Sequence, residues 1–336
     1  MQTPNDSSSK PVRALGLCSG GLDSMLSALV LRDQGIHVEW ITFETPFFGA
    51  DKARLAAEQT GIRLHVQDLT DDYLVMIQAP AAGFGKNMNP CMDCHALMFR
   101  KAGEAMQALG FDFLFSGEVV GQRPMSQTAN SLRYVAKHSG FGDLILRPLS
   151  AQRLPETLME QQGLVDREKL LDLSGRSRKP QMAMARKYGI TDYPAPAGGC
   201  LLTDPGYSRR LKDLFDSGTA LTPAALNLLK FGRHMRLNPS YKIIVGRTQQ
   251  ENEQILELSD PEHDAIIKTN GFPGPTVVLP GDGPQEILFL AGAVCAGYSK
   301  APEAGTVSVQ VSLAGKVRNI TVLPITPREA RRFLIK

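Results

Sequence analysis

The feature that most limits how this chain can fold is a glycine turn between an apolar strand and an apolar helix. The run Ala14–Cys18 is followed by Ser19-Gly20-Gly21-Leu22-Asp23-Ser24, and a helical pattern continues over Met25–Gln34. The two glycines permit a sharp turn and a close approach to a ligand, and the first N–H groups of the helix favour an anion. Asp23 suits an anion site only when a metal ion or a hydrogen-bond network accompanies the phosphates. The turn therefore predicts a site for the pyrophosphate portion of ATP with Mg²⁺.

Strand and helix patterns alternate from residue 13 to about residue 120. Strands are predicted at Ala14–Cys18, Val38–Phe43, Leu64–Asp68 and Phe113–Ser116, and helices at Met25–Gln34, Gly49–Thr60 and Cys94–Leu109. Such alternation is typical of βαβ units, which form a parallel sheet with helices on both faces. Ligands bind outside the carboxyl ends of these strands. The positions predicted to surround one crevice are Ser19, Phe43–Thr45, Asp68–Thr70 and Ser116–Glu118.

The second half of the chain has shorter elements and indicates a second domain. Residues 150–195 are predicted to be helical and basic, and short strands and turns follow from about residue 231. At 336 residues the chain is long enough for two cores. We expect a doubly wound parallel α/β sheet with a second, smaller α+β domain. The predicted divisions are a disordered leader (1–11), a nucleotide-binding domain (12–205), a helical linker (206–230) and a C-terminal domain (231–336).

The composition is that of a globular protein, with 43% hydrophobic and 21% charged residues. No apolar run reaches the roughly 18 residues that cross a membrane, and residues 1–10 lack the apolar centre of a secretory signal. We therefore expect a cytoplasmic protein with no membrane partner. The low and odd count of five cysteines favours metal or catalytic use over disulfides. Cys18 and Cys295 lie in apolar segments and are predicted to be core residues.

The other three cysteines form a candidate ligand set. Cys91 and Cys94 stand in a Pro-Cys-x-x-Cys-His segment at the start of a predicted helix, where thiolates form readily. Cys200 follows two glycines in Gly198-Gly199-Cys200, which allow close approach to a bulky group. Three thiolates with an open fourth position suit a [4Fe–4S] cluster with one iron able to bind something else. Zinc bound by these thiolates and His95 is the alternative.

The glycine turn resembles the S-G-G-x-D-S signature of the PP-loop ATP pyrophosphatases. Together with the Pro-Cys-x-x-Cys and Gly-Gly-Cys segments that follow in order, it is similar to the tRNA thiouridine synthetases, in particular to the branch with a three-cysteine [4Fe–4S] cluster. The resemblance covers about residues 12–205. In that family ATP adenylates a uridine carbonyl oxygen, and a hydrosulfide on the open iron then displaces AMP. The resemblance thus implies an ATP-dependent tRNA sulfurtransferase that uses ATP, Mg²⁺ and the cluster.

The resemblance also implies roles for individual residues. The expected ATP contacts are Ser19, Gly20, Gly21, Leu22, Asp23, Ser24, Phe43, Gly117 and Arg123. Asp23, Cys200 and Glu118 are the expected catalytic residues, and Cys91, Cys94 and Cys200 are the expected cluster ligands. The chain departs from the family after Ser116, where many relatives carry acidic residues and this chain reads Gly-Glu-Val-Val-Gly-Gln-Arg. Glu118 and Arg123 are expected to take the metal or phosphate role there.

The middle of the chain is basic, because residues 151–250 hold 16 Lys and Arg against 9 Asp and Glu. A surplus of this kind indicates a surface for a polyanion, with a solvated positive face as the alternative. The densest cations precede Cys200 in the sequence and are expected to bind tRNA phosphates near the target base. They are Arg176, Arg178, Lys179, Arg186 and Lys187.

The C-terminal part resembles the small RNA-associated domain of the NFACT proteins. The resemblance depends on the segments Phe231-Gly232-Arg233-His234, Gly274–Leu279 and Gly297–Ala301. It makes Arg233, His234 and Lys300 candidate RNA contacts. A purely structural role for this domain is the alternative.

Three interpretations of function remain open from the sequence. The first is thiolation of tRNA with the cluster, and the second is thiolation by a persulfide, with Cys200 attacking and Cys91 or Cys94 carrying sulfur. The third is an RNA-binding module without catalysis, which the complete turn with Asp23 argues against. The expected partners are tRNA and either inorganic sulfide or a sulfur donor protein, and a homodimer is a possible assembly.

Overall fold

The computed structural model describes residues 11–195, 199–302 and 304–335. The chain divides between Leu201 and Leu202 into two compact units, called here the N-terminal and the C-terminal unit. Apart from Pro11, the predicted leader lies outside the described residues. No helix in the described ranges is both long and apolar enough to span a bilayer.

Strands and helices alternate through the described part of the N-terminal unit. Its strands are β1 (Arg13–Leu17), β2 (His37–Glu44), β3 (Leu64–Asp68), β4 (Phe113–Ser116) and β5 (Ile145–Leu146). Its helices are α1 (Leu22–Arg32), α2 (Asp51–Thr60), α3 (Thr70–Gln78), α4 (Cys91–Leu109), α5 (Ala129–Ser139), α6 (Leu158–Gln161) and α7 (Lys179–Lys187).

The strands of this unit form one parallel sheet in the order β3-β2-β1-β4-β5. β1 pairs with β2 on one side and with β4 on the other, so the winding of the chain reverses beside β1. Ligand sites in open α/β sheets lie at this switch point, outside the carboxyl ends of the strands. The structure thus confirms the predicted doubly wound parallel sheet and places the glycine turn at its switch point.

Helix α1 follows the turn directly and is buried against the sheet. Its apolar residues Leu22, Met25 and Leu26 have no exposed surface, and Ala14 and Leu15 of β1 are equally buried. A central parallel strand is covered on both faces, which explains its continuous apolar sequence. The turn is therefore held between two elements that belong to the core.

Helix α4 begins three residues earlier than the sequence predicted, at Cys91, so that both cysteines lie in its first turn. It ends at Gly110, which adopts φ 70° and ψ 39°. A glycine in the left-handed backbone conformation can end a helix without a steric penalty. The early start matters for the site because it gives Cys91 and Cys94 one rigid support.

The helical prediction for residues 150–195 is wrong for most of that segment. Within its described residues only α6 and α7 are α-helical, together with short 3-10 turns at Ala151–Arg153 and Arg167–Lys169. Gly163 and Gly175 have positive φ values of 69° and 80°, which interrupt a helix. The Arg167 Nη2 atom donates to the Ala151 carbonyl at 2.9 Å, so a side chain satisfies a main-chain acceptor in place of a helical N–H.

The C-terminal unit pairs an antiparallel sheet with helices, as the predicted α+β domain requires. Its strands are β6 (Arg233–Arg236), β7 (Lys242–Val245), β8 (Ala265–Thr269), β9 (Val277–Leu279), β10 (Val307–Leu313) and β11 (Lys316–Val322). Its helices are α8 (Pro205–Asp216), α9 (Pro223–Leu228), α10 (Gln249–Leu258), α11 (Gln285–Gly297) and α12 (Pro327–Ala330). The sheet order is β11-β10-β8-β9-β7-β6, and α11 packs its buried residues against the apolar face of the sheet.

Candidate functional site

The glycine turn leaves no room for a side chain at Gly20. This residue adopts φ 70°, and a Cβ there would lie 2.2 Å from the main-chain carbonyl carbon of Lys52 at the start of α2. The Ser19 N–H donates to Ser24 Oγ at 3.3 Å, and the two serine hydroxyls are 3.2 Å apart. Gly21 precedes α1 without a side-chain cap, so the helix start offers main-chain donors to an anion.

The loop after β4 closes on the same turn. A Cβ at Gly117 would lie 2.4 Å from the main-chain carbonyl carbon of Asp23. The loops after two neighbouring strands therefore touch main chain to main chain. The structure brings Gly117 together with the expected ATP contacts Ser19–Ser24.

Two of the expected ATP contacts have buried side chains. Leu22 has no exposed surface, and Phe43 is 2% exposed within β2. Their side chains serve the core, so a contact with a nucleotide is limited to their main-chain atoms. This corrects the sequence expectation, which did not separate side-chain from main-chain contacts.

Asp23 has one bonded and one open carboxylate oxygen. Its Oδ2 atom accepts from Gln122 Nε2 at 2.8 Å, while Oδ1 is buried with no hydrogen-bond partner among the described residues. Burial raises the pKa of Asp23, while the Gln122 hydrogen bond, the charges of Arg178 and Arg123 and a weaker hydrogen bond from Gln181 oppose this shift. A buried, unpaired carboxylate oxygen is a suitable ligand for Mg²⁺, which prefers oxygen.

The three candidate thiols influence one another electrostatically. Burial raises the pKa of Cys94 most, the negative charges that Cys200 and Cys91 can carry raise it further, and a hydrogen bond from the Tyr73 hydroxyl opposes the shift. The same three thiols raise the pKa of the buried Tyr73 hydroxyl, in addition to the larger effect of its burial. The Asn89 Nδ2 atom donates to Cys91 Sγ at 3.2 Å. Cys91, Cys94 and Cys200 are therefore close enough to interact electrostatically with one another and with Tyr73.

Cys200 reaches this position from the far end of the N-terminal unit. The Leu201 N–H donates to the Phe47 carbonyl at 3.0 Å, which ties the segment to the loop after β2. Gly199 adopts φ 125°, and a Cβ there would lie 3.3 Å from Lys52 Nζ. Gly198, the first glycine of the predicted motif, lies outside the described residues. Lys52 thus contacts the glycine turn with its main chain and the segment before Cys200 with its side chain.

Thiolates are the donors that a [4Fe–4S] cluster takes, and the candidate set here is three thiols. Within the described ranges, no three His, Cys, Asp or Glu side chains are placed to hold one metal ion. His95, the candidate fourth zinc ligand, instead has its Nδ1 atom 3.0 Å from Glu118 Oε1.

Glu118 is buried in an ion-pair network that includes His95 of helix α4. Its Oε2 atom accepts from Arg147 Nε at 2.9 Å, and its Oε1 atom contacts His95. Burial alone would raise the pKa of Glu118, but Arg147 and His95 outweigh burial and lower the pKa to about 2. These contacts occupy the carboxylate and favour a role in positioning α4 over the metal or phosphate role expected from the sequence.

The expected RNA contacts separate into two groups. Arg176, Lys179, Arg186 and Lys187 are exposed, and the last three share one face of α7. Arg178 is half-buried and directs its charge toward Asp23. Four cations are therefore exposed to a polyanion. The fifth, Arg178, lies close enough to Asp23 to interact with its charge.

The C-terminal candidates also differ in exposure. Lys300 is exposed, and the Arg233 guanidinium lies 4.9 Å from the centre of the Tyr298 ring. His234 is 3% exposed, and its Nε2 atom is 3.0 Å from the Phe231 carbonyl. The predicted RNA contact by His234 is wrong because its ring is buried within this unit.

A parallel sheet with a glycine turn and an open carboxylate at its switch point defines a nucleotide-binding α/β domain of the PP-loop type. Residues 10–153 match the family model described as thiamine biosynthesis protein (ThiI). Residues 232–334 match the model described as NFACT protein RNA binding domain. The two matches cover consecutive parts of the chain and confirm both resemblances at the level of these segments.

Curated relatives match parts of the chain. A tRNA-specific 2-thiouridylase MnmA from Sulfurimonas denitrificans is 32% identical over 112 residues, which are 30% of this chain and 33% of the relative. A probable tRNA sulfurtransferase from Caldanaerobacter subterraneus subsp. tengcongensis is 31% identical over 146 residues, or 41% of this chain and 36% of the relative. The chain thus spans about a third of the length of these two relatives.

Among solved structures, the match to a 4-thiouridine synthetase–RNA complex with bound ATP has a TM-score of 0.32 and 19% sequence identity. It covers 55% of this chain and 54% of that one.

The Glu118 network yields a stability prediction. We expect Arg147→Met to destabilise the N-terminal unit by about 3–5 kcal/mol, because it leaves the Glu118 carboxylate buried without its cation. Trp40, the one tryptophan of the chain, is fully buried in β2 and reports unfolding of this unit by fluorescence in a denaturant titration. Arg133→Met, at an exposed position of α5, is the matched control and should change stability by no more than about 0.5 kcal/mol. Equal stability of the two variants would contradict the assignment.

Proposed function

We propose that this protein is an ATP-dependent tRNA sulfurtransferase that converts a uridine of tRNA to thiouridine. The observation that carries the proposal is the position of Lys52, which packs its main chain against Gly20 and holds its ammonium beside Gly199, next to Cys200. A nucleotide phosphate on the turn and sulfur at Cys200 would then be neighbours. Two relatives, a 2-thiouridylase and a probable tRNA sulfurtransferase, support the same activity.

The first step would be adenylation of the uridine. The main-chain donors of the turn and the hydroxyls of Ser19 and Ser24 would hold the phosphates, and Asp23 Oδ1 would be a ligand of Mg²⁺. The uridine carbonyl oxygen attacks the α-phosphorus, the bond to the bridging oxygen of the β-phosphate breaks, and pyrophosphate leaves. Arg123 and Arg178, whose charges reach Asp23, would stabilise the negative charge of the departing group.

The second step would replace oxygen by sulfur. Cys91, Cys94 and Cys200 would hold a [4Fe–4S] cluster, which when bound supplies sulfur in deprotonated form near neutral pH. Attack on the activated carbon forms the C–S bond, and AMP leaves with the former carbonyl oxygen. Short distances between the two sites would supply much of the rate, and the Lys52 ammonium would offset the negative charge of the two reactants.

The tRNA would lie across the exposed cations of α7. Arg176, Lys179, Arg186 and Lys187 would neutralise phosphates, and the target base must leave its stack to reach the crevice. Inorganic sulfide or a sulfur donor protein would supply the sulfur, and the cytoplasm is the expected compartment. The NFACT-type domain would add a second RNA contact through Lys300 and Arg233.

Iron content separates the cluster from a persulfide. We expect the anaerobically purified protein to hold about four irons per chain, and Cys91→Ser, Cys94→Ser and Cys200→Ser each to lower iron and the visible absorption. Cys295→Ser, at a cysteine buried in α11, is the matched control and should keep its iron. Wild-type protein that thiolates tRNA without iron would instead establish the persulfide mechanism.

The thiolated product tests the function itself. We expect unmodified tRNA to acquire one thiolated nucleoside, detected by mass spectrometry, when it is incubated anaerobically with the iron-loaded protein, Mg·ATP and sulfide. Cys200→Ser should abolish the thionucleoside but retain tRNA-dependent pyrophosphate release, because the nucleotide turn is unchanged. No thionucleoside in vitro, together with identical tRNA nucleosides from cells with and without the protein, would refute thiolation. Absence of pyrophosphate release as well would favour the non-catalytic RNA-binding module.

A further inference from the structure

A chain of side-chain amides connects Asp23 with helix α7. Gln122 Nε2 donates to Asp23 Oδ2 at 2.8 Å, and Gln122 Oε1 accepts from Gln181 Nε2 at 3.3 Å. An amide presents a donor at one end and an acceptor at the other. The donor from Gln181 therefore fixes which end of Gln122 faces the carboxylate. With the amide of Gln122 reversed, its oxygen would repel Asp23.

The loop that carries Gln122 is also tied to the segment before α7. The Gly175 N–H donates to the Val120 carbonyl at 2.8 Å, and the Gly121 N–H donates to the Gln127 carbonyl at 2.7 Å. A main-chain bridge pairs Val120 with Ser174. The position of Gln122 thus depends on the chain that enters the basic helix.

Helix α7 packs along the length of α1. Gln181 lies near the first turn of α1, and at the other end the Tyr188 hydroxyl donates to Asp33 Oδ2 at 2.6 Å. Between these contacts, Ala185 is 1% exposed and packs in the core. The opposite face of α7 carries Lys179, Arg186 and Lys187. Helix α7 therefore contacts α1 near both of its ends, and its three cations lie on the face turned away from these contacts.

Around this network, three buried polar atoms have no hydrogen-bond partner among the described residues. Gln181 is 1% exposed, and its Oε1 atom has no partner in the part of the chain that the structure describes. The same holds for Arg178 Nε and Asp23 Oδ1. An unsatisfied buried polar group costs about 1–3 kcal/mol, and such groups are found at functional sites. Three of them on one network suit a bound nucleotide with its metal ion.

We propose that Gln122 and Gln181 are positioning residues that couple RNA bound on α7 to Mg·ATP bound at Asp23. This inference depends on the proposed function for the identity of its RNA partner. RNA phosphates on the exposed cations would fix α7, Gln181 would orient Gln122, and Gln122 would hold the Asp23 carboxylate toward the metal ion. Coupling of this kind is reciprocal, so each ligand would tighten the binding of the other.

Calorimetry on cluster-free protein measures the coupling without catalysis. The probe is Mg²⁺ with an ATP analogue that has a methylene between its α and β phosphates, titrated with and without a saturating unmodified tRNA transcript. In the wild type, we expect tRNA to lower the dissociation constant of the analogue about fivefold or more. In Gln122→Met and Gln181→Met, the factor should fall below about twofold, because the connection to α7 is broken.

Two comparisons distinguish positioning from a general structural effect. The double variant Gln122→Met/Gln181→Met should lose less than the sum of the two single losses, because the two amides share a hydrogen bond and act on the same carboxylate. The affinity for tRNA without nucleotide should stay within about twofold in all variants, since the α7 cations remain. Gln162→Met, at an exposed position after α6, is the matched control and should keep the wild-type factor. If Trp40 fluorescence shows that Gln181→Met unfolds, Gln181→Asn, one methylene too short to reach Gln122, replaces it with the same expectation.

The results separate this inference from the proposed function. Equal dissociation constants of the analogue with and without tRNA in the wild type would overturn the inference. Wild-type coupling in Gln181→Met would overturn it as well. Coupling that behaves as expected in a protein that forms no thionucleoside would support the inference and refute thiolation.

Discussion

The close approach of three main-chain segments at the carboxyl edge of the sheet is the constraint on which the rest of the site depends. Gly20 lies against Lys52, and Gly117 lies against Asp23, each with no space for a Cβ. Any larger residue would push apart the loops after β1 and β4 or displace the start of α2. Because these loops belong to adjacent strands, their contact fixes the turn at the switch point, where a parallel sheet opens to ligands.

The same edge collects the sulfur chemistry. α4 supplies Cys91 and Cys94 from its first turn, and the bond from Leu201 to Phe47 brings Cys200 to the loop after β2. Buried Glu118 and Arg147 brace α4 through His95. An ion pair that is nearly excluded from water stabilises little by itself, but it strongly penalises the loss of either partner. Its value here lies in fixing the helix that presents two of the thiols.

The sequence predicted the parts of the site that depend on local signals. The glycine turn, the strands beside it and the helices that end before Gly61 and Gly110 are defined by neighbours in the chain, and the structure has them within a few residues. The last strand, β11, has a weaker signal in the sequence. Hydrophobic and polar residues alternate only weakly in β11, because it is an exposed strand at the edge of the sheet. Its charged residues, such as Lys316 and Arg318, protect this edge from pairing with another chain.

The residues that reasoning from sequence missed are those whose partners are distant in the chain. Gln122 bonds Asp23 across 99 positions, and Gln181 bonds Gln122 across 59. Lys52 contacts Gly199 from the opposite end of the unit. Glutamine and lysine are common on surfaces, so nothing in the local pattern marks these three. Only the folded sheet, which gathers separate loops at one edge, makes them neighbours.

The proposed chemistry requires Cys200 to share a crevice with the nucleotide. Alkylation of cluster-free protein with iodoacetamide, followed site by site with mass spectrometry, measures this directly. Mg·ATP should slow the labelling of Cys200 severalfold, while the labelling of a cysteine introduced at the exposed Val317 of β11 stays unchanged. Labelling of Cys200 at the same rate with and without saturating Mg·ATP would contradict the account.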